Sequence, residues 1–225
     1  RRASENDGAV SLYTDEYIAN YRRNNYLDPD AYPIIDWQDR LMTGNGFTHN
    51  HTLSMSAGSE RIRVMTSLGY LDQNGIIKNA NFKRYNLRNN MDIRMNDRLN
   101  FRLDIAATSS RRAANPYQSS VFGFMNSKDP LMLAQWSDGS YAPFTGGTVN
   151  PLPMIEQGVG GNNIRQNGVL KASAALEYKP VQWLTLEVKA APQLTAVKTH
   201  RFVDLVEYHS DPYGTVSKTS NAEYN

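Results

Sequence analysis

From Thr48 to Ser110 apolar and polar side chains alternate with a period of two, and that spacing admits extended strands and little else. In one segment Tyr85, Leu87, Met91, Ile93 and Met95 share a side, while Asn86, Arg88, Asn90, Asp92 and Arg94 share the other. The next segment repeats the pattern, with Leu99, Phe101, Leu103, Ile105 and Ala107 set against Asn100, Arg102, Asp104, Ala106 and Thr108. Only a strand sends successive side chains to opposite faces, so a helix is excluded here. Asn96-Asp97-Arg98 joins the two segments, and like faces must meet, because a one-residue slip inverts every side chain. A three-residue loop predicts Met95 opposite Leu99, Ile93 opposite Phe101 and Met91 opposite Leu103, with Asp92 facing Arg102.

The same rhythm extends in both directions. A strand is expected at about 48–57 with Leu53, Met55 and Ala57 on one face, then a tight turn at 58–61, then a strand over 62–70. A longer connection is expected over 71–80. Alternation resumes at 170–178 and 184–190, where face matching predicts Tyr178 opposite Leu184, Leu176 opposite Leu186 and Ala174 opposite Val188. A less regular strand is expected at 194–206. The tight turns at Ser59, Asp97 and Val181 fall on one side, and the long connections fall on the other. Strands of about 9 to 11 residues cross a bilayer at a tilt. Tyr178 and Trp183 flank a short turn while Tyr70 and Tyr85 stand at the long-loop ends, where aromatic girdles belong. The fold class expected is therefore all-β: an antiparallel up-and-down transmembrane β-barrel segment with short periplasmic turns and long extracellular loops. A soluble sandwich that buries the same apolar face remains the alternative.

Composition narrows the partners. Net charge is +2 with no Lys/Arg run, which gives no footprint for nucleic acid. There is no cysteine, so neither a disulfide scaffold nor a thiolate metal site is open to the chain. No apolar run approaches the roughly 18 residues of a transmembrane helix. Mean hydropathy of -0.58 is compatible with a barrel, because only every second residue of each strand meets lipid. The polar start, without an apolar signal-peptide core, and the polar end read as an internal piece of a longer protein. Residues 1–47 are expected as a helix-containing extracellular loop region, with the helix at 11–23 capped by Thr14 ahead of Asp15 and Glu16. Residues 48–206 are expected as barrel strands with a long loop at about 109–166, and 207–225 as an extracellular loop; a plug domain is not expected within this chain.

Few motifs carry chemistry. His49 and His51 form an H-x-H without a third ligand at usable spacing, and read as polar lumen residues, so no metal is expected. Asp92, Asp104, Glu177 and Glu187 alternate with Arg and Lys, as on a salt-bridged polar wall, and no catalytic constellation is recognisable. Gly146-Gly147 and 158–161 are turns, since neither opens a helix with phosphate-binding spacing. The long loop is the place for ligand contact. Its Trp136, Asp138, Tyr141 and Phe144 set flat aromatics beside a carboxylate, a combination suited to sugar rings or peptides, although packing of the loop onto itself or a partner would use the same residues. No cofactor is expected.

Several strings also resemble one family. Asp36-Trp37-Gln38-Asp39, the run Gly46-Phe47-Thr48-His49-Asn50-His51-Thr52-Leu53-Ser54-Met55-Ser56-Ala57-Gly58, the run Leu68-Gly69-Tyr70-Leu71-Asp72-Gln73-Asn74-Gly75-Ile76-Ile77 and Phe82-Lys83-Arg84-Tyr85 are similar to the SusC/RagA family of TonB-dependent outer-membrane transporters. The resemblance is dense over 36–110 and looser through 206. It implies a large barrel in the cell outer membrane, surrounded by lipid and closed by a plug that couples to the TonB complex. It also implies import of oligosaccharides or peptides with a SusD-like surface lipoprotein at the mouth, and no enzyme activity. Plug and TonB box are not recognisable here. The rival function is a soluble or surface-attached β-sandwich that binds glycans.

Overall fold

The computed structural model describes residues 13–143, 149–156 and 158–209, and the backbone of 216–219. The alternating segments become β1 (Phe47–Gly58), β2 (Ile62–Asn74), β3 (Asn81–Asn96) and β4 (Leu99–Ala114), followed after a long connection by β5 (Asn162–Val181). β6 (Leu184–Ala190) and β7 (Gln193–Phe202) lie end to end along the far edge of β5 and act as one strand interrupted at Pro192. All neighbours are antiparallel, in the order β1-β2-β3-β4-β5-β6/β7, which is an up-and-down meander. The barrel is open in this chain. β8 (Val206–His209) and β9 (Val216–Thr219) form a separate ribbon inside the stretch read as loop.

The strands are longer than expected. β3 and β4 each run 16 residues and β5 runs 20, against the expected 9 to 11. At about 3.3 Å per residue, 16 residues reach about 53 Å, so these strands continue well past a bilayer. The extensions, such as Leu71–Asn74 and Arg111–Ala114, are polar and were read as loop. Backbone pairing carries them where no apolar face demands burial.

Two registers differ locally from expectation. Ile93–Phe101, Met91–Leu103 and Asp92–Arg102 pair as predicted, but Leu99 sits opposite Asn96 rather than Met95. The turn is the two-residue Asp97–Arg98, held by Arg98 N donating to Asn96 Oδ1 (2.9 Å), and a bulge absorbs the third residue. At the β5–β6 turn Val181 pairs with Leu184, so Tyr178 faces Leu186, Leu176 faces Val188 and Ala174 faces Ala190. Pro180 has no N–H to give, so the ladder to β6 breaks there, while Lys179 N donates on the other edge to Arg98 O (2.7 Å). The slip is two residues, and every side chain keeps its face.

One face is apolar over a defined height. Across the sheet, Leu53, Leu68, Leu87, Ala107, Leu170 and Leu194 line up in a single row. Ten residue steps separate Tyr85 from Met95. At about 3.3 Å per step and a tilt of about 40°, that band stands about 25 Å tall, the apolar height of an outer-membrane barrel. Its one mid-height polar pair is satisfied internally, Asn89 Nδ2 donating to Thr66 Oγ1 (2.8 Å). The charged strand residues of this face, Asp72, Lys83, Arg111 and Lys198, fall in one row just beyond Tyr70 and Tyr85. Nothing among the described residues covers the band: Met55 is 61% and Val188 73% exposed.

The buried core lies off the sheet. Trp37, Leu41, Ile77, Val121, Ala134, Leu152 and Ile155 cluster at the loop end, drawn from four separated stretches. α1 (Asp15–Leu27) begins at its expected cap, Thr14 Oγ1 accepting from Tyr17 N (3.1 Å), and runs past its expected end at residue 23. α2 (Trp37–Leu41) is capped by Asp36, which accepts from Gln38 N and Asp39 N, and Lys78 Nζ donates to its end carbonyls of Asp39 (2.8 Å) and Arg40 (2.9 Å). α3 (Val121–Ser127) and α4 (Leu152–Ile155) supply the rest.

Candidate functional site: the loop-end cap and the polar wall

The long connection is a folded cap, and its sequence explains the shape. Asp138-Gly139, with Gly139 at φ +90°, turns the chain back so that Gln135 bridges Tyr141. Asp138 braces this turn: its carboxylate accepts from Ser140 N (2.8 Å) and Ser140 Oγ (2.7 Å). Those bonds hold the Asp138 carboxyl below the usual aspartate range, the hydroxyl contributing most. Ser137 ties the tip to the first segment, with N (3.0 Å) and Oγ (2.8 Å) donating to Asp30. Trp136 donates Nε1 to His209 O (2.7 Å), and the Tyr141 hydroxyl donates to Glu156. Burial first, then Glu156, pushes the Tyr141 phenol well up. Trp136, Asp138 and Tyr141 are thus brought together, Asp138 and Tyr141 with partners inside the cap and Trp136 with one on β8. Phe144 lies outside the described residues.

Asn150 is the hub that sequence reasoning missed. It is 1% exposed, and its Nδ2 donates to Ala134 O (2.6 Å) and Ala142 O (2.9 Å) while Oδ1 accepts from Leu152 N (3.1 Å). Its carbonyl accepts from the Tyr208 hydroxyl (3.2 Å), joining cap to β8. The available signal was Asn150-Pro151, a turn initiator beside an apolar stretch. Gly160 and Gly161 (φ +92°) also matter, since a Cβ on either would strike a backbone carbonyl, of Met154 and Phe202 respectively.

Burial pushes the Tyr208 phenol up to about 12. The folded cap therefore favours the neutral form, and the unfolded chain loses this proton first, near pH 10. The stabilisation is complete below about pH 10 and is lost as pH rises through about 12. A 295-nm difference titration of the full-length parent against its Tyr208→Phe variant should show one tyrosine ionising near pH 12. Ionisation near pH 10 would place this side chain in water.

His49 and His51 are not lumen residues. They stand in register with Asp72 and Tyr70 on the apolar face, at the loop-end rim of the band, because odd positions of β1 carry Leu53 and Met55. The His51 ring stacks on Tyr70 (6.4 Å, 8°), and His49 Nε2 lies 3.6 Å from Asp72. Tyr70 packs on Tyr85 at 5.1 Å, completing an aromatic girdle.

The opposite face is a polar wall. Toward the short turns three of its carboxylates have partners: Arg102 Nη2 lies 2.7 Å from Glu187, Lys179 Nζ 3.1 Å from Glu177, and Asn90 Nδ2 donates to Asp104. Among the described residues no group of three or more His, Asp or Glu is placed to hold a metal, and no helix is long and apolar enough to cross a membrane.

An apolar band of bilayer height backed by an ion-paired polar wall defines a section of a transmembrane β-barrel. No family model matches the sequence. The chain is 28% identical over 179 residues to TonB-dependent receptor P26 of Formosa agariphila, covering 78% of this chain and 17% of that protein. TonB-dependent receptor P39 of the same organism is 28% identical over 199 residues, covering 85% and 17%. TonB-dependent receptor SusC of Bacteroides thetaiotaomicron is 35% identical over 77 residues, 33% of this chain and 8% of SusC. In fold, the chain matches the RagAB peptide importer in its closed-closed state with a TM-score of 0.56 and 21% identity, over 82% of this chain and 21% of that one. The chain resembles the SusC/RagA-like TonB-dependent outer-membrane transporters in sequence and in fold, and spans 17% of the length of P26 and P39.

Proposed function

We propose that this chain is part of the barrel wall and mouth of a TonB-dependent outer-membrane transporter that imports oligosaccharides or peptides together with a SusD-like surface lipoprotein. The observation that carries the reading is the uncovered apolar band of about 25 Å set against a polar wall, the height of a barrel's lipid face. The rival sandwich needs a second layer over Met55, Leu68 and Val188, and the described residues supply none. On this reading residues 1–47, 109–166 and 207–225 stand outside the cell, and a plug from elsewhere in the parent couples to TonB. The protein moves its cargo without chemical change. Trp136, Asp138 and Tyr141 stand in the cap at the mouth, and with Phe144 they are the residues proposed to meet cargo.

The test uses the full-length parent in its own host. It should fractionate with the outer membrane, migrate faster on gels before boiling than after, and lose nutrient uptake when TonB is deleted. A parent that is monodisperse without detergent, with uptake indifferent to TonB, would sink the reading.

A further inference from the structure

The carboxylates of the polar wall are confined to its turn end. Asp92 shares a row with Arg63, Arg102 and Lys189, Glu177 and Glu187 share one with Arg94, and Asp104 stands one row above Asp92. Beyond Asp104, toward the loops, the described strand residues of this face include no Asp or Glu, yet cations continue. Arg84, Arg88, Arg112, Arg165 and Lys171 are all exposed there. Arg112 sits directly opposite Arg165. Like charges so placed destabilise a sheet, and here their hydrogen-bond partners are neutral: Gln118 for Arg112 (3.4 Å), Asn167 for Arg165 (3.3 Å) and Asn90 for Arg88 (3.1 Å). None of the five has a carboxylate within ion-pair distance among the described residues. Arg88 and Lys171 flank Ala106 in one row, about 10 Å apart at two strand spacings, which leaves a gap between two cations.

We propose that this loop-end half of the polar wall is a docking face for an acidic oligosaccharide, a linear glycan bearing carboxylate or sulfate groups. The inference rests on the transport reading above and names its cargo. Guanidinium forks match carboxylate and sulfate oxygens with two parallel hydrogen bonds. An anion between Arg112 and Arg165 relieves the repulsion that the pairing imposes. Asn86, Thr108, Ser110 and Asn167 lie on the same face and offer both donors and acceptors to sugar hydroxyls. A peptide that docks by adding a strand asks for a free sheet edge. β2 to β5 are paired on both sides here, so they offer no edge.

Binding to the detergent-solubilised full-length parent should be compared for hexagalacturonate, its uncharged methyl ester, a sulfated galactan hexamer and a poly-glutamate peptide. At least one acidic glycan should bind about tenfold or more tightly than the ester, a difference of about 1.4 kcal/mol, and should weaken with salt. The double variant Arg112→Gln with Arg165→Gln should collapse that ratio toward one. Equal binding of acidic and neutral glycans overturns the proposal, as does tighter binding of the peptide. A double variant that unfolds or loosens the parent barrel while keeping the ratio assigns these arginines to an acidic segment of the parent instead, which also overturns it. TonB-dependent uptake of neutral glycans without an acidic preference leaves the transport reading standing and sinks this one alone. Absence of TonB-dependent uptake of any oligomer sinks both.

Discussion

Leu103→Arg in the full-length parent is expected to destabilise the barrel by about 2–4 kcal/mol, the cost of a cation near the middle of a lipid-facing band. Leu103 pairs with Met91 and Ala174 on the apolar face, one residue step from the centre of the Tyr85–Met95 span. An arginine there must leave its charge in hydrocarbon or bend a long side chain to the interface. Ser173→Arg is the matched control. It introduces the same side chain one residue from Ala174 but on the other face, directly opposite Asp104, where a cation finds a carboxylate. Its expected effect is within about 0.5 kcal/mol. Urea unfolding of the parent in lipid, followed by the gel shift of the unboiled barrel, reads both. Equal effects at the two positions would mean that neither face meets lipid.

That contrast depends on parity, which is also why the faces were legible before the structure. A period of two survives any even error in register, so the two-residue slip at Lys179–Pro180 left each side chain where the alternation put it. Strand ends were hidden for the complementary reason. Outside the band both faces are wet, hydrophobicity no longer alternates, and Leu71–Asn74 or Asn162–Val169 reads as loop although the ladder runs through it. The His49–His51 placement failed by assigning polar side chains to the lumen when the strand's own parity put them on the apolar face, at the girdle.

The cap was illegible for a different reason. Trp37, Ile77, Val121 and Ile155 belong to segments too short to show a period, and their meeting depends on tertiary contacts that no local pattern announces. Of the loop residues singled out for ligand contact, Trp136 and Tyr141 hold His209 and Glu156, and Asn150 does the organising. Polar hubs of that kind are recognisable only once the carbonyls around them are in place.

Because the core lies off the sheet, damage to it should stay local, and Trp37→Ala tests this. Trp37 is 4% exposed, packs in the cluster with Leu41 and Val121, and donates Nε1 to Asp129 O (3.0 Å). Removing a buried tryptophan costs about 3–5 kcal/mol, and leaving the Asp129 carbonyl without its donor adds to that. The sheet shares none of this burial: its strands are held by ladders and, in the membrane, by lipid contact of the band. Trp37→Ala should therefore expose the connection between β4 and β5 to protease at the surface of intact cells, while the unboiled barrel still migrates as folded. On the transport reading uptake should fall with the cap, since Tyr141 packs against the same cluster. If the barrel is lost along with the cap, the two are one cooperative unit, and the loop-end core supports the wall as well as the mouth.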